Sequence, residues 1–69
     1  MYKLKTLYNK LVAKGHRIDF IIDATDEQYP EFDYADEYLD THGDLLVRAH
    51  CLGKNNAFSL IVQFKKEDK

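Results

Sequence analysis

The side chains in this chain best suited to acid–base or nucleophilic work are His16, His42, His50, Cys51 and Ser59, set among twelve Asp and Glu residues. Catalysis needs a nucleophile or acid/base group held by an oriented partner where water is excluded. The spacing supplies no such pair. His50 and Cys51 are neighbours in a segment with strand character, where consecutive side chains leave opposite faces, so they cannot form a dyad with each other. Nothing in the spacing favours Cys51 with His16 or His42. Cys51 reads better as a small core residue, because free cysteine is among the most buried residue types. With no assembled triad, the expectation is a non-catalytic protein in which no residue carries a catalytic role.

Metal and cofactor chemistry fare no better. Zinc frameworks bring paired ligands at short spacing, such as two cysteines two residues apart, and Cys51 is alone. Asp23, Asp26, Glu31, Asp33 and Asp36 do not reproduce the alternating carboxylates, central glycine and final glutamate of a calcium loop. Gly15, Gly43 and Gly53 are scattered and serve better as caps or turns than as a phosphate cradle. The expectation is neither metal nor cofactor.

Charge is the more informative feature. The net charge of -2 conceals a division along the chain. Residues 1–17 carry Lys3, Lys5, Lys10, Lys14 and Arg17 without an acid, whereas residues 18–47 carry ten acids and neither Lys nor Arg. Beyond them the balance turns basic again through Arg48, Lys54, Lys65, Lys66 and Lys69. Like charges within a Debye length of about 8 Å repel, so an acidic cluster costs a small domain stability unless something uses it. Tyr29, Phe32, Tyr34 and Tyr38 are interleaved with those acids, and aromatic side chains supply rigid contact area at interfaces. The residues expected to meet a partner are therefore Asp26, Glu27, Glu31, Asp33, Tyr34, Asp36, Glu37 and Asp40, and the expected partner is a protein with a basic surface. The plainer alternative makes Tyr34, Tyr38 and Leu39 core and the acids a solvated face. A competing surface is the stripe of Lys3, Lys10, Lys14 and Arg17, which could track phosphates in a small nucleic-acid-binding regulator.

These residues must be positioned by a small number of elements. Leu4, Leu7, Tyr8, Leu11 and Val12 recur at helical spacing, predicting an amphipathic helix over about 2–14 that Gly15 closes. The period then changes to two, and Ile18, Phe20 and Ile22 are expected to face the core while Asp19, Ile21 and Asp23 face away. Thr25 and Gln28 have the form of a capping box, and Pro30 prevents a long helix there. Residues 31–41 favour a short helix carrying Tyr34, Ala35, Tyr38 and Leu39 on one face, with Asp33 as cap. The rival is an edge strand in which Phe32 and Tyr34 alternate with acids. Residues 45–52 and 57–66 predict an antiparallel hairpin turning at Gly53-Lys54-Asn55-Asn56, with Leu45, Val47, Ala49 and Cys51 facing inward beside Phe58, Leu60, Val62 and Phe64.

The expected architecture is a single α+β domain over residues 1–69, its N-terminal amphipathic helix packed on a three-stranded, largely antiparallel sheet. At 45% hydrophobic the chain is too rich in core formers to be disordered. No apolar run reaches the roughly 18 residues that span a bilayer, and no start resembles a cleavable leader, so a cytoplasmic monomer or weak homodimer is expected. In size, charge and order of elements the chain is similar to small phage-encoded inhibitors that imitate DNA, such as uracil-DNA glycosylase inhibitors and some anti-CRISPR and anti-restriction proteins. That likeness implies an inhibitor of a nucleic-acid-binding enzyme, but it shares no motif residues and assigns no site.

Overall fold

The computed structural model describes residues 2–54 and 60–67. Five strands and two helices follow in the order β1 (Tyr2–Lys3), α1 (Leu4–Ala13), β2 (Ile18–Asp23), β3 (Glu31–Tyr34), α2 (Ala35–His42), β4 (Leu46–Lys54) and β5 (Leu60–Lys66). They form one mixed sheet of order β1-β4-β5-β2-β3, in which β2 and β5 run parallel and every other pair is antiparallel. The α+β class is as expected, and so is the β4–β5 hairpin. The expected three strands are too few: Tyr2–Lys3 is too short for a period to show, and Glu31–Tyr34 realises the edge strand that rivalled a helix for this segment. Tyr2–Lys3 pairs with β4, and Glu31–Tyr34 pairs with β2. The reversal between β4 and β5, including Asn55 and Asn56, lies outside the described residues.

Of the stripe its spacing predicts, helix α1 buries Leu4, Leu7 and Leu11, packs Tyr8 partly against the core and leaves Val12 exposed. Its first donors are satisfied by backbone rather than by a side-chain cap: Leu4 N–H donates to Leu45 O at 2.8 Å and Lys5 N–H to Gly43 O at 3.0 Å. Gly43 is needed for that approach, since a Cβ there would stand 2.7 Å from Leu39 O and 3.3 Å from Lys5 Cβ. At the other end Gly15 has φ +98°. Gly15 N–H reaches Val12 O at 2.9 Å and His16 N–H reaches Leu11 O at 3.2 Å, the paired bonds that close a helix on a left-handed glycine.

Both helices lie on one face of the sheet. The core joins Leu4, Leu7 and Leu11 of α1 and Ala35 and Tyr38 of α2 to Ile18, Ile21, Val47, Val62 and Phe64. Here the expected faces of two strands are overturned. The register between β2 and β5 shifts between Ile18 and Phe20, which inserts Asp19 as an extra residue and puts Ile18 and Ile21 on the same face. Ile21 is fully buried beneath the helices, while Phe20 and Ile22 are half-buried on the opposite face. A second shift between Val47 and Ala49 does the same in β4. Val47 is core, but Ala49 and Cys51 face the other side and are exposed. Leu60 is half-buried against the core, and Phe58 lies outside the described residues.

Candidate protein-binding surface

The acidic segment is built around the end of β2. Asp23, the one charged residue buried among the described residues, accepts Thr25 N–H at 2.9 Å and lies 3.7 Å from Lys66 Nζ. Thr25 does not open a helix as the capping-box pattern predicts. Residues 25–29 form a bend, and Thr25 Oγ1 accepts the Lys66 N–H at 2.9 Å, tying the loop to the end of β5. Asp26 Oδ1 accepts the N–H groups of Gln28 and Tyr29 at 3.0 and 3.3 Å, and Glu27 pairs with Lys65 Nζ at 3.0 Å. Small polar side chains that bond the backbone two residues on turn the chain in this way.

After Pro30 the chain becomes β3, exposed at all four positions. Both readings of this segment are realised in part, a strand for Glu31–Tyr34 and a helix for Ala35–His42. Asp33 does not cap that helix. Its carboxylate instead accepts the Tyr34 N–H at 2.8 Å, and Tyr34 takes the cap position without a side-chain bond. Asp36 and Glu37 fall in the first turn of α2, where negative charge favours the positive end of the helix dipole. Asp36 and Asp40, four residues apart, share one exposed side of α2, and Ala35 and Tyr38 anchor the other in the core.

Tyr38 has a polar task within that core. Its hydroxyl donates to Glu31 Oε2 at 3.3 Å, and its ring stacks on His42 at 4.3 Å and meets Phe64 edge-on at 6.3 Å. Burial, followed by the negative charges of Asp23 and Glu31, drives its pKa above the ordinary phenol range. Tyr38 is thus core, whereas Tyr34 is 57% exposed, so the plainer reading holds for one tyrosine and fails for the other.

Of the residues expected to meet a partner, Glu27 is spent on Lys65. Among the described residues, Asp26, Glu31, Asp33, Asp36, Glu37 and Asp40 have no ion pair, and they follow one another through the loop, β3 and α2. On the opposite face of β3, Phe32 and Tyr34 pack against Phe20 with ring centroids 5.1 and 5.2 Å apart. This aromatic cluster continues the open sheet face of Ile22, Ile61 and Gln63. The alternation of Glu31-Phe32-Asp33-Tyr34 is the sequence signal for it.

The lysine stripe is not assembled in the same way. Lys3 belongs to β1, and with Lys5 it holds Asp44 at 3.5 and 3.6 Å. Lys3 first and Lys5 second keep the Asp44 carboxyl below its usual range. Arg17 Nε is 3.4 Å from Asp19, leaving Lys10 and Lys14 without an ion pair among the described residues. The histidines are dispersed as well: His50 Nδ1 is 3.5 Å from Tyr2 O–H, and His42 Nδ1 is 2.7 Å from Thr41 Oγ1. Among the described residues no group of three or more His, Cys, Asp or Glu side chains is placed to hold a metal ion, and no helix is long and apolar enough to cross a membrane. No protein-family model, curated protein or solved structure matches the chain.

Proposed function

We propose that the chain is a non-catalytic protein-binding module that presents the acidic, tyrosine-bearing surface of β3 and α2 to a basic partner. The observation that supports this reading is the run of six carboxylates that have no ion pair among the described residues, bordered by exposed Tyr29, Phe32 and Tyr34. Charges left unpaired on a small domain repel one another, and a positive surface would relieve that repulsion while steering its own approach. Carboxylates spaced along a surface give a field similar to that of a phosphate backbone. A nucleic-acid-binding enzyme is therefore the partner class proposed, with inhibition by occupation of its nucleic-acid site as the mode of action.

The test is quantitative affinity capture from a lysate of the source cells, comparing the native chain with the triple variant Asp33→Lys, Asp36→Lys, Glu37→Lys. The expected result is a basic protein retained by the native chain and lost by the variant, with association that slows as salt rises. Equal capture of the same proteins by both would overturn the reading.

A further inference from the structure

We propose that β3 takes up an extended segment of the partner as a sixth strand, one in which lysine or arginine alternates with apolar side chains. The inference rests on the acidic-surface reading above and specifies how that surface is used.

The argument begins with hydrogen bonds. Ala24 N–H donates to Phe64 O at 2.8 Å, so the even-numbered backbone groups at this end of β2 serve β5 and those of Ile21 and Asp23 serve β3. Asp33 and Glu31 are the partners of Ile21 and Asp23, so their backbone groups point into the sheet and those of Phe32 and Tyr34 point out of it. The Tyr34 N–H bears this out independently, since it is taken by the Asp33 carboxylate rather than by β2. That bond satisfies locally a donor which an added strand would otherwise satisfy with its carbonyl.

Sheet edges are commonly closed to other chains by lysine, proline, a bulge or a covering element. β3 contains neither Lys nor Pro, its pairing with β2 shows no register shift, and all four residues are exposed. The other edge, β1, is only two residues long. What β3 does carry is a selective barrier. Pairing with β3 of a second copy would bring Glu31 and Asp33 against their own kind on one face, and directly opposed like charges destabilise a sheet. A strand with cations at those positions meets attraction instead. On the reverse face, Phe32 and Tyr34 braced by Phe20 offer apolar contact to the alternate side chains. The occupant's pattern of alternating cationic and apolar residues follows from these two faces.

The probe is a capped seven-residue peptide alternating lysine with valine, beside the same peptide N-methylated at every amide, which keeps each side chain and charge but has no backbone donor. The expected result is binding of the first and at least about tenfold weaker binding of the second, the scale of losing two or more backbone hydrogen bonds. On the protein side, Phe32→Pro removes an outward N–H without touching the β2 ladder, so it should weaken binding beyond Phe32→Ala, with both folds verified by circular dichroism. Equal binding of the two peptides, weakened equally by the triple charge reversal, would overturn strand addition while leaving the acidic-surface reading standing. Absence of binding to either peptide, or self-association through β3 in its place, would also overturn strand addition and leave the affinity capture to decide the broader reading.

Discussion

The Tyr38 hydroxyl donates to Glu31 across 3.3 Å, so the inner face of α2 holds the edge strand β3 through a phenol buried beside two carboxylates. This arrangement makes stability depend on alkaline pH. A phenol whose folded pKa is raised favours folding while it is protonated, so its contribution is whole below the unfolded value of 10.0 and is lost as pH rises toward the folded one. The melting temperature of the native chain should therefore fall toward that of Tyr38→Phe from about pH 10 upward. A difference between the two that stays constant through that range would show that the phenol remains free to ionise in the fold.

Ile21 and Phe20 should respond in inverse order to their size. Ile21→Ala removes a fully buried side chain and should cost about 2–5 kcal/mol, whereas Phe20→Ala, on the open face, should cost about 1–2 kcal/mol. Urea denaturation of the two variants measures both. A larger loss at Phe20 would place the core on the other face of β2.

Much of the helical layer was legible because it rests on local spacing. Leu4, Leu7 and Leu11 define a stripe whatever lies against it, and Gly15 marks its end. The faces of β2 and β4 were not legible, because strict alternation assumes one residue on each strand per step. Asp19 and Arg48 break that rule, and nothing in their chemistry distinguishes an inserted residue from a paired one. Ile21, read as solvent-facing, is therefore core, and Cys51, read as core, is exposed. The acids of the candidate surface were visible as a run. That Glu27 is matched by Lys65 was not, since the pair joins residues about forty positions apart.

Cys51 should react with a thiol reagent in the native protein at close to its rate in the unfolded chain, because its side chain is exposed on the open sheet face. Colorimetric thiol titration with and without denaturant makes the comparison. Protection of the native thiol would mean that this face is covered in solution.

The paired changes Lys10→Glu and Lys14→Glu should leave no trace on nucleic-acid binding, because the native chain should not retain duplex DNA at about 0.15 M salt in a mobility-shift assay. Retention that the double variant abolishes would return the function to α1.

The parallel contact between β2 and β5 also governs how the molecule comes together. Ile18 meets Leu60 and Asp23 meets Phe64, so the central seam of the sheet joins positions about forty residues apart. Closing so long a segment costs entropy before any of its contacts are made, and chains rich in distant pairings fold more slowly than helical ones of equal size. β5 also stands between β4 and β2, so until it arrives each of them lacks the strand that takes up the backbone groups of one edge. The chain should therefore assemble in one cooperative step, with no half of it stable alone.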